Sequence, residues 1–154
     1  MLFTPNKPLY THSNLCSNSV NTIRNFYIQN SYLELLVNVS NLLRESKYLL
    51  ILEDKGIAFS CEYLADCLLY LNTGLDEISN GRISISKKKF FKEMMPINGK
   101  PKIELTPREV VRYVIKAMEK SPTGELNAII PFMRDFQTIF ESNKIQSALR
   151  TIVG

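Results

Sequence analysis

Tryptophan is absent from this chain, and histidine occurs once, as His12 in a polar segment. A lone imidazole in such a setting offers no nucleophile–base pair. The sequence also contains no Gly-x-Ser-x-Gly, phosphate-loop or dinucleotide fingerprint. No catalytic residue, cofactor or enzymatic activity is therefore expected. Cysteine is nearly as scarce: Cys16, Cys61 and Cys67 cannot all pair within one chain, and none stands in a Cys-x-x-Cys spacing. With one histidine to join them, no zinc or other metal site is expected. Cys61 and Cys67 lie in an apolar helical pattern, where thiols are usually buried and inert. No apolar run approaches the roughly 20 residues that cross a bilayer. Met1-Leu2-Phe3-Thr4-Pro5 lacks the basic start and long apolar centre of a signal peptide. The expected address is cytoplasmic, with no membrane partner.

What remains is an ordinary globular composition, 45% hydrophobic and 22% charged over 154 residues. That is enough for one core, or for a small domain with an appended subdomain. The net charge of +4 is unevenly spread. Residues 1–81 hold five Lys/Arg against eight Asp/Glu, whereas residues 82–120 hold eleven against four. Residues 121–154 balance three against three. A basic block of this kind suits a polyanion partner or, more blandly, a solvated charged surface.

Along the chain, residues 1–20 are rich in Asn, Ser, Pro and Thr and read as an extended arm. Helical periodicity runs from about Ile23 to Lys47, with Tyr32, Leu35, Leu36, Val39, Leu42 and Leu43 on one face. Tyr48-Leu49-Leu50-Ile51-Leu52, ended by Glu53-Asp54-Lys55-Gly56, predicts a buried strand and turn, and Ile57-Ala58-Phe59 a second short strand. A further helix from about Cys61 to Ser79 is built on Leu64, Leu68, Leu71, Leu75 and Ile78, with Asn80-Gly81 as its stop. Arg82-Ile83-Ser84-Ile85-Ser86 alternates and is a candidate short strand. Pro96-Ile97-Asn98-Gly99-Lys100-Pro101 reads as turn or linker. Helices over Pro107–Lys120, 125–133 and 136–152 follow, the last two separated near Arg134-Asp135. The expected class is mainly α with one or two short strands, an α+β front half (residues 1–95), a linker (96–104) and an all-α back half (105–154).

Leu105-Thr106-Pro107-Arg108-Glu109 is the sharpest local signal. Thr106 can cap free backbone N–H groups, Pro107 suits the first helical position, and Glu109 completes a capping box. Val110, Val111, Val114, Ile115 and Met118 then mark one buried face. Glu53-Asp54 after an apolar strand invites comparison with the acidic pair of receiver domains, but the further strand–helix units that chemistry requires have no room before residue 81.

The passage from Asp76 through Gly81-Arg82-Ile83-Ser84-Ile85-Ser86 and a linker into Leu-Thr-x-Arg-Glu resembles the entry to the helix-turn-helix of LuxR-type regulators. The resemblance covers the back half of the chain. It implies that Pro107–Lys120 is the first helix, Gly124–Phe132 the supporting helix, and Asp135 to about Ile145 the recognition helix. Thr138-Ile139 would take the place of the family's Thr-Val, and Ile145 and Leu149 would fall on its closing helix. Duplex DNA would then be the partner, bound by a homo-oligomer. Arg134, Gln137 and Asn143 would reach base edges, with Thr138 among the DNA-binding residues beside them. Lys87, Lys88, Lys89, Lys92, Lys100, Lys102, Arg108 and Lys144 would neutralise phosphates. Phe90 and Phe91 read as core anchors rather than stacking platforms.

After Thr-Val the family places a basic residue, whereas here Phe140, Glu141 and Ser142 follow. A second reading therefore stands beside the first. In it the chain is a helical interaction protein, such as a small inhibitor, chaperone or host-directed factor, that binds a protein through an apolar helix face.

Overall fold

The computed structural model describes residues 14–46, 49–52, 57–81 and 105–153. Six helices are described: α1 (Asn14–Gln29), α2 (Tyr32–Ser46), α3 (Cys61–Ser79), α4 (Pro107–Lys120), α5 (Gly124–Phe140) and α6 (Asn143–Val153). Two four-residue strands, β1 (Leu49–Leu52) and β2 (Ile57–Ser60), pair antiparallel with each other in the register Leu49 to Ser60. The α+β expectation is corrected by this arrangement, because the described residues form an all-α fold. Among the described residues the hairpin pairs with no further strand, and helices make up almost all of the rest.

α3 is the central helix. Twelve of its nineteen residues are buried, including Leu64, Leu68, Leu71, Leu75 and Ile78, so it is covered on several sides rather than along one stripe. α1, α2 and α4 pack on it, α5 packs on α2 and α4, and α6 packs chiefly on α1. Residues before and after the expected linker thus meet in one continuous apolar cluster. Its aromatic part joins three helices. Phe136 of α5 lies 4.9 Å from Tyr32 of α2, edge-on, and 5.7 Å from Phe26 of α1, centroid to centroid. Phe140 stacks on Phe136 at 5.4 Å. One polar pair is sealed inside: the Tyr27 hydroxyl donates to the Asn72 side-chain oxygen, tying α1 to α3. Burial, and then the negative charge of Asp76, push the Tyr27 phenol well above its ordinary range.

Local chemistry sets the helix ends. At α4 the Thr106 hydroxyl accepts from the Glu109 N–H at 3.1 Å while the Glu109 carboxylate accepts from the Thr106 N–H at 2.9 Å. Leu105 and Val110, which flank the box at staple positions, are both buried. α3 starts on Ser60, whose hydroxyl accepts from the Tyr63 N–H, and stops at Asn80-Gly81 with Gly81 at φ +69°.

Two boundaries differ from expectation. The segment from Ile23 to Lys47 is two helices, not one, and the first begins at Asn14 inside the expected arm. The break falls at Asn30-Ser31, where Ser31 takes φ 56° and donates its N–H to the Ile28 carbonyl. The break expected near Arg134-Asp135 is absent: α5 runs unbroken to Phe140, and the chain turns at Glu141-Ser142. The real turn is held by Ser142, whose carbonyl accepts from the Gln146 N–H and whose hydroxyl faces the Ile145 N–H.

Candidate functional site

The continuous α5 changes what the candidate DNA-reading residues can do. Arg134, Gln137 and Thr138 belong to the same helix as Leu126 and Met133, so no separate recognition helix spans 135–145. Its inner face is core: Leu126, Met133, Phe136 and Phe140 are each fully buried. Of the outward groups, Arg134 ion-pairs with Glu119 of α4. Gln137 donates to Glu141 at 3.4 Å, and the Thr138 hydroxyl donates to the Arg134 carbonyl at 3.1 Å.

Glu141 caps the C-terminal end of α5, where the helix dipole disfavours a carboxylate. Arg108 and Arg112 of α4 answer that charge, at 3.6 and 3.8 Å. The acidic residue that stands where a LuxR-type protein would carry a base is here the anchor of an α4–α5 ion-pair network. Arg108, placed among the phosphate contacts, is one of its members. Beyond it, Lys116 and Lys120 continue an exposed row along α4. Asn143 and Lys144 open α6 and are exposed, and with Ser147, Arg150 and Thr151 they make its outer face polar. Lys87, Lys88, Lys89, Lys92, Lys100 and Lys102, and with them Phe90, Phe91 and the linker 96–104, lie outside the described residues.

No protein-family model matches the chain, and neither the curated proteins nor the solved structures yield a significant match. The site must be read from its own chemistry. Among the described residues no group of three His, Cys, Asp or Glu side chains gathers to hold a metal. No described helix is long and apolar enough to cross a membrane. Cys61 and Cys67 are both buried, and burial with the charge of Asp66 pushes the Cys67 thiol up to about 12.

The feature that sequence reasoning passed over is on the opposite flank of α5. Phe132 is 62% exposed, the most exposed large hydrophobic side chain described. Ala128 and Pro131 are exposed beside it. The signal was present in the spacing: Leu126, Met133, Phe136 and Phe140 form the buried stripe, and Phe132 falls outside it. On α1 and α2, Ile28 and Leu33 are exposed at 55% and 44%.

Proposed function

We propose that the protein is a non-enzymatic, cytoplasmic helical interaction module that binds a protein partner through the outer face of α5. The observation that carries this reading is Phe132. An aromatic ring left mostly in water costs hydrophobic free energy that a partner's surface would recover, and exposed aromatic anchors are typical of interface hot spots. The test is affinity capture of partners on the tagged full chain, compared with Phe132→Asp and Lys116→Glu variants. A partner retained by Lys116→Glu and lost with Phe132→Asp, then shown to bind as purified protein, supports the reading. A partner set unchanged by Phe132→Asp overturns it.

A second reading, a LuxR-like regulator that binds duplex DNA, is favoured by the polar outer face of α6 and the cation row of α4. It predicts retardation of duplex DNA that fades steeply as salt rises, and weakening by Lys144→Ala with Arg150→Ala. Absence of retardation at low salt, on both random and upstream duplex, would end it.

A further inference from the structure

Within the interaction reading, which it presupposes, we infer that the Phe132 face of α5 takes a basic amphipathic helix of a partner protein. Glu125, Ala128, Phe132 and Asp135 recur at the i, i+3, i+7, i+10 spacing that puts them on one row of the helix. All four are exposed. Both carboxylates of α5 therefore sit on the apolar row. Its one basic residue, Arg134, leaves on the other flank to pair with Glu119. At the helical rise, Glu125 lies about 10 Å to one side of Phe132 along the axis and Asp135 about 5 Å to the other.

The first turn of α2 carries the same pair of residue types. Tyr32 reaches Asp135 with its hydroxyl, which brings that turn to the Asp135 end of the row, and the next two residues are exposed Leu33 and Glu34. A ring bracketed by carboxylates on a chain of net charge +4 selects for a cationic ligand by charge complementarity. The occupant has apolar side chains at helical spacing to cover Phe132 and Ala128, and Lys or Arg about a turn away on either side to meet Asp135 and Glu125. Asp135 keeps acceptor capacity for this, because a carboxylate has about four lone-pair positions and Tyr32 uses one.

The probe is a fluorescein-labelled helical peptide of about 18 residues, leucine on one face and lysine on the other. Two peptides serve as controls, one with glutamate replacing lysine and one with the Leu/Lys order scrambled. Fluorescence anisotropy is read against the full chain. The Leu/Lys helix is expected to bind and the two controls to fail at the same protein concentration. Phe132→Ala is expected to weaken binding by on the order of tenfold. Glu125→Gln with Asp135→Asn is expected to weaken it and to flatten its salt dependence. Equal binding of the Leu/Glu or scrambled peptide, or a Kd indifferent to Phe132→Ala, overturns the inference. So does sedimentation velocity showing a self-association that Phe132→Ala abolishes, which assigns the face to a second copy. Capture of a Phe132-dependent partner that docks through an acidic or neutral segment overturns the inference while leaving the interaction reading standing.

Discussion

The hydroxyl of Tyr32 donates to the carboxylate of Asp135 at 2.9 Å, joining side chains 103 positions apart and fastening the start of α2 to the middle of α5. The phenol ring is buried against Phe136 while the carboxylate faces solvent. Tyr32→Phe keeps the ring packing and removes only this bond. Water can satisfy the exposed Asp135 afterwards, so the expected loss is about 1 kcal/mol, read by urea denaturation. A loss above about 3 kcal/mol would mean that the hydroxyl organises more of the α2–α5 contact than one bond.

Alkaline pH is expected to destabilise the fold. Burial, then the hydrogen bond and charge of Asp135, raise Tyr32 from 10.0 to about 12. Cys67 rises from 9.0 to about 12, and Tyr27 also rises. Each group holds its proton more tightly folded than unfolded. Its stabilisation is complete below the unfolded pKa and is lost as pH climbs toward the folded one. Denaturation midpoints should thus be flat below about pH 9 with respect to these groups and fall between about pH 9 and 12. Tyr32→Phe should make the fall shallower. A midpoint that holds steady to the top of that range would contradict the shifts.

Phe132 and Phe136 lie one turn apart on α5 with opposite roles. Phe136 is fully buried in the aromatic cluster, and Phe136→Ala is expected to cost about 3–5 kcal/mol through cavity formation. Phe132→Ala removes a ring already in water and is expected to change stability by about 0.5 kcal/mol or less. Paired melts of the two variants check this contrast. A large loss for Phe132→Ala would reassign the ring to packing and remove its claim on a partner.

Pro131 sits inside α5 without an N–H for the Asn127 carbonyl. Pro131→Ala restores that donor and improves helix propensity, with an expected gain on the order of 1–3 kcal/mol. Thermal unfolding measures it. A loss of stability instead would show that the proline ring makes a contact the helix depends on.

Several of these elements could be read directly from residue chemistry. The Thr106–Glu109 box and the Asn80-Gly81 stop name their own hydrogen bonds, and both form as expected. The hairpin of Leu49–Leu52 with Ile57–Ser60 followed from two apolar runs around a polar, glycine-ended turn. Its weight in the fold did not follow, because pairing between strands is invisible in one segment alone and the class changed to all-α. Ser31 hid the α1–α2 break, since a serine at positive φ carries none of the glycine or proline punctuation that marks turns. The break expected near Arg134-Asp135 has no counterpart in the fold. In the fold, Glu119 and Tyr32 each hold one of those charges from a neighbouring helix, so the polar pair stays within α5. The surface of Phe132 was the least legible feature, because exposure is set by which helices cover α5, and that is a tertiary fact.

The packing of α1 on α6 has a consequence for biosynthesis. The first and last described helices share an apolar contact, and each carries buried residues, Ile23 among them on one and Ile145, Ala148 and Leu149 on the other. A nascent chain emerging from the ribosome can assemble α2 and α3 early. α1 can join them through α3, but the part of its surface that α6 covers stays open until α6 has been made. During that interval a holdase chaperone would find apolar surface on α1, and a chain interrupted before Asn143 would keep that surface exposed.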